Sequence, residues 1–165
     1  RSSTTSPDRR PSGILVAGAA QAADDITTAG VGESQRSYPK ANEVAFVAKD
    51  CEEECHVASL LCDENRSISL VYADVDSQTA AKAITVDQQP MTLMADGKSF
   101  MFSISEMQFM EMSGTWWLTA GSYNDPFELL KALQASKTIK VTLQTQSMDL
   151  PVTADVKTWA AACAR

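Results

Sequence analysis

The sequence lacks the residues and motifs that common catalytic centres use. It contains one histidine, His56, so any Ser or Cys nucleophile would have to pair with that single side chain. It contains no G-x-S-x-G elbow, no Gly-rich phosphate-binding loop and no H-E-x-x-H motif. We therefore predict that the protein is not an enzyme.

The sequence is also short of positive charge. Its 14 Lys and Arg residues stand against 21 Asp and Glu residues, which gives a formal net charge of −7. Nucleic acids and anionic membrane surfaces both require a basic face, so neither is predicted as a partner. The sequence has no apolar run approaching the roughly 18 residues that cross a bilayer, so no membrane span is predicted.

Residues 1–22 have the layout of a secretory signal. Basic residues come first, an apolar run from Gly13 to Ala20 follows, and Ala20-Gln21-Ala22 forms an A-x-A cleavage pattern. This layout predicts export, and therefore a periplasmic or secreted location.

Residues 43–165 are predicted to form a single β-rich domain behind a linker or disordered arm at 23–42, which is polar and has no sustained period. Phe100 and Phe102 alternate with polar residues, which is typical of a half-buried strand. Asp96-Gly97 suits a tight hairpin turn. Strands are predicted on both sides of that turn within 91–105, and at 43–49, 56–62, 67–75, 82–87, 107–112, 115–120, 137–145 and 149–152.

Two short helices are predicted near the C-terminus. The first begins at Asp125-Pro126, a capping residue followed by proline at the first helical position, and runs to about Ala135. The second begins at Thr153, and one face of it carries Val156, Trp159, Ala160 and Cys163. The expected fold is α+β, predominantly antiparallel β, as a sandwich-like or curved sheet.

Three of the four cysteines and the histidine lie in the stretch CEEECHVASLLC, residues 51–62. An even number of cysteines in an exported chain favours disulfides. The suggested pairs are Cys62–Cys163, which would hold the last helix against the sheet, and Cys51–Cys55. Four cysteines allow three pairings, and the sequence alone does not choose among them.

The alternative interpretation is a metal or haem carrier centred on Cys51, Cys55 and His56. The spacing is one residue longer than the C-x-x-C-H of haem attachment, and Met107 or Met110 would supply the second axial ligand. A zinc site would have to use the adjacent Cys55 and His56, which a strand directs to opposite faces. We prefer the disulfide scaffold and predict no cofactor.

Methionines and two adjacent tryptophans suggest further surfaces. Thioethers with a histidine bind copper(I), but methionine more often fills irregular gaps in a core, and core packing is the preferred interpretation. Trp116 and Trp117 face opposite sides of a predicted strand, so we expect one to be buried and the other to be at least partly exposed as a binding surface. The methionines concerned are Met91, Met94, Met101, Met107, Met110 and Met112.

Two segments carry a resemblance to a known family. In the first, FVAKDCEEECHVASLLC, a strand leads into paired cysteines. In the second, FELLKALQASKTIKVTLQ, an apolar helix is followed by a strand with a basic start. From about Val44 onward, the chain resembles small exported bacterial proteins of the invasion-associated locus B type. The resemblance implies a periplasmic or secreted, non-catalytic, β-rich domain. The expected partner is an unknown protein or another component of the cell envelope.

Overall fold

The computed structural model of the protein describes residues 20–34, 40–52, 55–85 and 90–165. Most of the signal-like segment predicted at 1–22 lies outside these residues. The described chain forms a ten-stranded sheet, three α-helices and a 3-10 turn at Ala23–Asp25.

The strands and helices are numbered in chain order. The strands are β1 (Ala20–Gln21), β2 (Ile26–Glu33), β3 (Ala41–Ala48), β4 (His56–Asp63), β5 (Ile68–Val75), β6 (Met91–Ala95), β7 (Lys98–Met110), β8 (Thr115–Ser122), β9 (Thr138–Leu143) and β10 (Gln146–Pro151). The helices are α1 (Ser77–Thr85), α2 (Pro126–Ala135) and α3 (Ala154–Ala164).

The strand order across the sheet is β1-β10-β9-β6-β7-β8-β5-β4-β3-β2. Every neighbouring pair is antiparallel except β1 with β10, which is parallel. The two edge strands of the sheet are β1 and β2, which follow one another closely in the chain. The start of the described chain therefore brings the two edges together and leaves the sheet nearly closed. The predicted α+β fold with an antiparallel sheet and C-terminal helices is confirmed.

Local sequence sets the tightest hairpin. Ala95 is paired with Lys98, so only Asp96 and Gly97 form the turn, and both have positive φ, 51° and 78°. Such two-residue turns require positive φ at both positions, which glycine adopts without strain and aspartate tolerates. The hairpin predicted within 91–105 is therefore confirmed.

The two C-terminal helices begin at the predicted caps. The Asp125 carboxylate accepts a hydrogen bond from the Phe127 amide at 2.9 Å, and Pro126 is the first residue of α2. The Thr153 hydroxyl accepts one from the Val156 amide at the start of α3. Such caps satisfy amides that have no partner within the helix. Helix α3 packs against α2, β2 and β3 and so lies over one end of the sheet.

The inner face of the sheet carries the main hydrophobic core. Phe100 and Phe102 point into it, as their alternation predicted, and the small side chains Ala80 and Ala83 of α1 join it from one end. The opposite face, called here the outer face, carries a second, smaller buried cluster of Ala41, Leu61 and Val71.

The strand predicted at 82–87 is wrong. Residues 77–85 form α1, and 86–89 lie outside the described residues. Asp76 starts this helix, because its carboxylate accepts hydrogen bonds from both the amide and the hydroxyl of Thr79, at 2.8 and 3.0 Å. A short capped helix with small buried residues covers this end of the core more completely than a strand with one apolar face would.

The linker predicted at 23–42 is also wrong in its described parts. Ile26–Glu33 is a strand, β2, and β3 begins at Ala41, before the predicted domain start at residue 43. Strand β2 lies at a sheet edge, where only Ile26 is buried, and most of its other residues are Thr, Ala or Gly. An edge strand of this kind has too few apolar positions for an alternating pattern to be visible.

Candidate functional site

All four cysteines are joined in disulfides. Cys51 pairs with Cys55 and Cys62 pairs with Cys163, which are the pairs that the sequence suggested. Cys62 ends the buried part of β4 and Cys163 lies in the last turn of α3, so this bond joins α3 to the sheet. Both residues are buried, with exposures of 6% and 5%.

The disulfides bear directly on the metal or haem alternative. In the oxidised protein Cys51 and Cys55 bond to each other, so His56 has neither thiolate beside it as a co-ligand. Within the described ranges, no group of three or more His, Cys, Asp and Glu side chains is arranged to hold a metal ion. The residues of this proposed centre are therefore engaged in other contacts.

His56 takes part in a hydrogen-bonded chain on the outer face, which we call the polar chain: Glu43, Ser59 and His56. The Ser59 hydroxyl donates to Glu43 Oε2 at 2.5 Å, and His56 Nε2 lies 2.5 Å from the same hydroxyl oxygen. Glu43 lies two residues after Ala41, and Ser59 lies two residues before Leu61. Alternation therefore places the polar chain beside the outer-face cluster.

The middle residue of the polar chain, Ser59, is buried, and the order of the hydrogen bonds does not suit a nucleophilic serine. Ser59 is 0% exposed. Because its only proton goes to Glu43, His56 Nε2 is left to donate to Ser59 rather than to accept from it. A base that activates a serine must accept the serine proton. The geometry therefore supports a role in joining β3 to β4.

Replacing Ser59 with alanine should destabilise the protein by about 1–3 kcal/mol, because the partly buried Glu43 and His56 side chains lose a shared hydrogen-bond partner. Urea denaturation followed by far-UV circular dichroism would measure the change. Ser99→Ala is the control, because Ser99 is exposed on β7, and it should change stability by no more than about 0.5 kcal/mol. Equal stability of Ser59→Ala and the wild type would show that the polar chain contributes nothing to the fold.

The two adjacent tryptophans lie on opposite faces, but neither is fully buried. Trp117 is half-buried on the outer face, packed against the outer-face cluster, with its ring centroid 5.0 Å from that of His56. Trp116 is half-buried on the inner face, where its indole donates to the Ser77 hydroxyl at 3.2 Å. The expectation of one buried tryptophan is thus wrong, because each face offers partial cover at this end of β8.

The end of the β7–β8 hairpin, residues 107–116, is called here the hairpin tip. Phe109 packs beside Trp116, with ring centroids 5.1 Å apart, and is still 45% exposed. Met112 lies in the turn and is fully exposed. The expectation that the methionines are core residues holds for Met91, but Met94, Met101 and Met112 are exposed.

Asp74 lies at the base of the hairpin tip. It sits in the register shift between β5 and β8 with a positive φ of 57°, and it accepts a hydrogen bond from the Thr115 hydroxyl at 3.1 Å. Burial raises the pKa of the Asp74 carboxyl, and the Thr115 hydrogen bond partly opposes that rise. The folded protein therefore holds the Asp74 proton to a higher pH than the unfolded chain does.

The raised pKa predicts a pH-dependent effect of Asp74→Asn. The stability from Asp74 is complete below about pH 4, near its ordinary pKa, and is lost as the pH rises through the raised folded value. Asparagine tolerates positive φ and carries no charge. The variant should therefore gain stability over the wild type between about pH 4 and 7, as measured by urea denaturation at several pH values.

The control for this prediction is Asp96→Asn, because Asp96 also has positive φ but is exposed. A constant stability difference between Asp74→Asn and the wild type across the pH range would contradict a raised pKa of the partly buried Asp74 carboxyl.

No family model, no curated protein and no solved structure matches this chain. None of the described helices is both long and apolar enough to cross a membrane. The fold and the cysteine pairs define the class, which is an antiparallel α+β domain cross-linked by two disulfides.

Sequence reasoning missed two parts of the site. Glu43 and Ser59 are far apart in the sequence, and only the pairing of β3 with β4 brings them together. The exposure of the hairpin tip had a visible signal, because Ser113-Gly114 marks a turn within a methionine-rich stretch. The methionines of this stretch were interpreted as core residues instead.

Proposed function

We propose that the protein is an exported, non-enzymatic domain that binds a macromolecular partner in the periplasm or outside the cell. Its two disulfides are consistent with an oxidising compartment, where such bonds persist. The signal-like layout of residues 1–22 and the resemblance to exported proteins of the invasion-associated locus B type support the same location.

The observation that carries the binding proposal is the exposure of large apolar side chains at the hairpin tip. Phe109 and Met112 are 45% and 103% exposed, and Phe109 packs beside the half-buried Trp116. Aromatic residues and methionine are enriched in the centres of protein interfaces. A tip that projects these side chains into water gains stability when a partner covers them.

The buried polar chain supports a non-enzymatic role. Ser59 is inaccessible to solvent and donates its proton to Glu43, so the one histidine is not positioned to activate it. The hairpin tip contains exposed apolar side chains and neither a histidine nor a cysteine, so it suits contact with a partner better than catalysis. The proposal is therefore that the tip binds and that the polar chain supports the sheet.

Site-specific photo-cross-linking tests the binding proposal. A photoreactive amino acid placed at Met112 should cross-link one protein from the envelope fraction of cells that make this chain. The same group placed at Tyr123 should not, because Tyr123 is also exposed, at 66%, but lies at the other end of β8. Substituting Phe109→Ser should reduce the Met112 cross-link at least tenfold, because it removes the apolar side chain beside the tip.

Equal cross-linking from Met112 and Tyr123, or an unchanged yield with Phe109→Ser, would exclude the hairpin tip as the binding surface.

Alkylation of untreated protein tests the location independently. Protein taken from the envelope should show no free thiols before reduction and four after it, because all four cysteines are paired. Four free thiols before reduction would contradict the proposed compartment.

A further inference from the structure

Strand β7 is longer than the strand beside it, which leaves part of one edge unpaired. β7 has 13 residues, and β6 pairs only with its first five, from Lys98 to Phe102. From Ser103 to Met110, β7 is paired with β8 on one side. In the part of the chain that the structure describes, no strand pairs with its other side, which we call the free edge.

The outward backbone groups of the free edge belong to Met107 and Phe109. The Gly114 amide donates to the Met110 carbonyl at 2.8 Å, so the Met110 carbonyl faces β8. Successive residues of a strand direct their backbone groups to alternate sides. Those of Gln108 therefore also face β8, and those of Met107 and Phe109 face the free edge.

From Glu106 to Met110, the free edge has neither a bulge nor a lysine, two devices that usually keep sheet edges from pairing. The edge strand β2 shows two such devices. Its register with β3 shifts between Thr28 and Val31, and its last residue, Glu33, forms an ion pair with Lys40, with 3.3 Å between Oε2 and Nζ. Bulges and lysines of this kind discourage pairing with another chain. β7 has one bulge near Ser105, and the register from Glu106 to Met110 is then continuous.

The charges near the free edge favour a partner strand with positively charged side chains. No Lys or Arg lies between Lys98 and Lys131, whereas Glu106 and Glu111 are exposed on and beside the edge. An acidic edge strand attracts basic side chains on an opposing strand and repels a second copy of itself.

We propose that the free edge of β7 receives an extended segment of another protein in which apolar residues alternate with Lys or Arg. This inference rests on the proposed binding function and specifies its mode. The segment's backbone bonds to Met107 and Phe109, its apolar side chains cover the exposed Phe109 ring, and its basic side chains face Glu106 and Glu111. Strand addition of this type obtains affinity from the backbone and specificity from alternate side chains.

Synthetic peptides test the mode without knowledge of the natural partner. The probe is a ten-residue peptide that alternates Val and Lys. Its controls are the same composition arranged as a Val block and a Lys block, and an alternating Val and Glu peptide. The alternating basic peptide should bind at least tenfold more tightly than either control, and it should slow hydrogen exchange at the Met107 and Phe109 amides.

Modified peptides and a matched pair of protein variants locate the contact. Two peptides, each methylated on every second backbone nitrogen, test the backbone contact. The one whose methyl groups face β7 should not bind, and the one whose methyl groups face away should bind as the unmodified peptide does. Phe109→Lys should weaken binding at least tenfold. Met101→Lys should not, because Met101 is equally exposed, 46% against 45%, but is already paired with Thr92 of β6 and bonded to the Tyr123 amide on its other side.

Three results would overturn this inference. They are equal binding of the alternating and block peptides, no added protection of the two amides, and self-association of the protein through the free edge in place of peptide binding. If Met112 still cross-links a partner, but that partner does not slow hydrogen exchange at the Met107 and Phe109 amides, binding by strand addition is excluded and the proposed function stands. If no cross-link forms at the tip but the peptide binds, the proposed function fails separately.

Discussion

Removing the Cys62–Cys163 disulfide should lower the free energy of unfolding by about 2–5 kcal/mol, the largest effect that we expect from any cysteine change. The two residues are 101 positions apart, so the bond closes a long loop in the unfolded chain. The chain-entropy model gives about 4.7 kcal/mol for a loop of roughly 100 residues. The double variant Cys62→Ala with Cys163→Ala avoids leaving an unpaired thiol, and urea denaturation measures the loss.

The matched control is the double variant Cys51→Ala with Cys55→Ala. These residues are four positions apart, and the same model gives about 2 kcal/mol for so short a loop. The first pair is also buried between α3 and β4, so its removal leaves small cavities as well. A larger loss from the short pair than from the long pair would contradict the view that Cys62–Cys163 is the main cross-link.

Replacing Trp159 with alanine should cost about 3–5 kcal/mol, the range for a large aromatic side chain lost from a core. Trp159 is fully buried in α3, and its indole donates to the Asn42 carbonyl at 3.0 Å. The side chain therefore fills the space between α3 and the sheet and also ties α3 to the start of β3. Far-UV circular dichroism during urea denaturation measures the loss without depending on tryptophan fluorescence.

Trp159→Phe separates the two contributions. It retains most of the apolar contact and removes the indole donor, so it should lose less than the alanine variant. Removing the hydrogen bond itself accounts for about 0.5–1.5 kcal/mol. If Trp159→Ala is as stable as the wild type, the packing of α3 on the sheet contributes little to folding.

The features that local sequence determines were predictable. Asp96-Gly97 defined its hairpin because few residues accept positive φ. Asp125 and Thr153 marked the helix starts because each accepts a hydrogen bond from a nearby amide. The suggested Cys62–Cys163 pair followed from an apolar helix face that had to lie against an apolar strand.

Features that depend on distant strands were not predictable. Strand β2 was missed because Ile26 is its only buried residue and most of the others are Thr, Ala or Gly, and because its place is set by pairing with β3. Helix α1 was missed because Ile84 and its neighbours fit either a strand or a short helix until the core requires a cover at that end. The polar chain depends on the register that aligns Ala45 with Ser59.

The long disulfide also determines how the molecule would respond to a pulling force. If tension is applied at the two ends of the chain, the bond between Cys62 and Cys163 carries the load past everything that lies between them. Strands β5 to β10 and helices α1 and α2 then cannot be stretched while that bond is intact. Only the residues before Cys62, apart from the short loop that the Cys51–Cys55 bond closes, and those after Cys163 can lengthen, at about 3.3–3.6 Å per residue. Oxidised protein should therefore extend much less than reduced protein in a single-molecule force experiment.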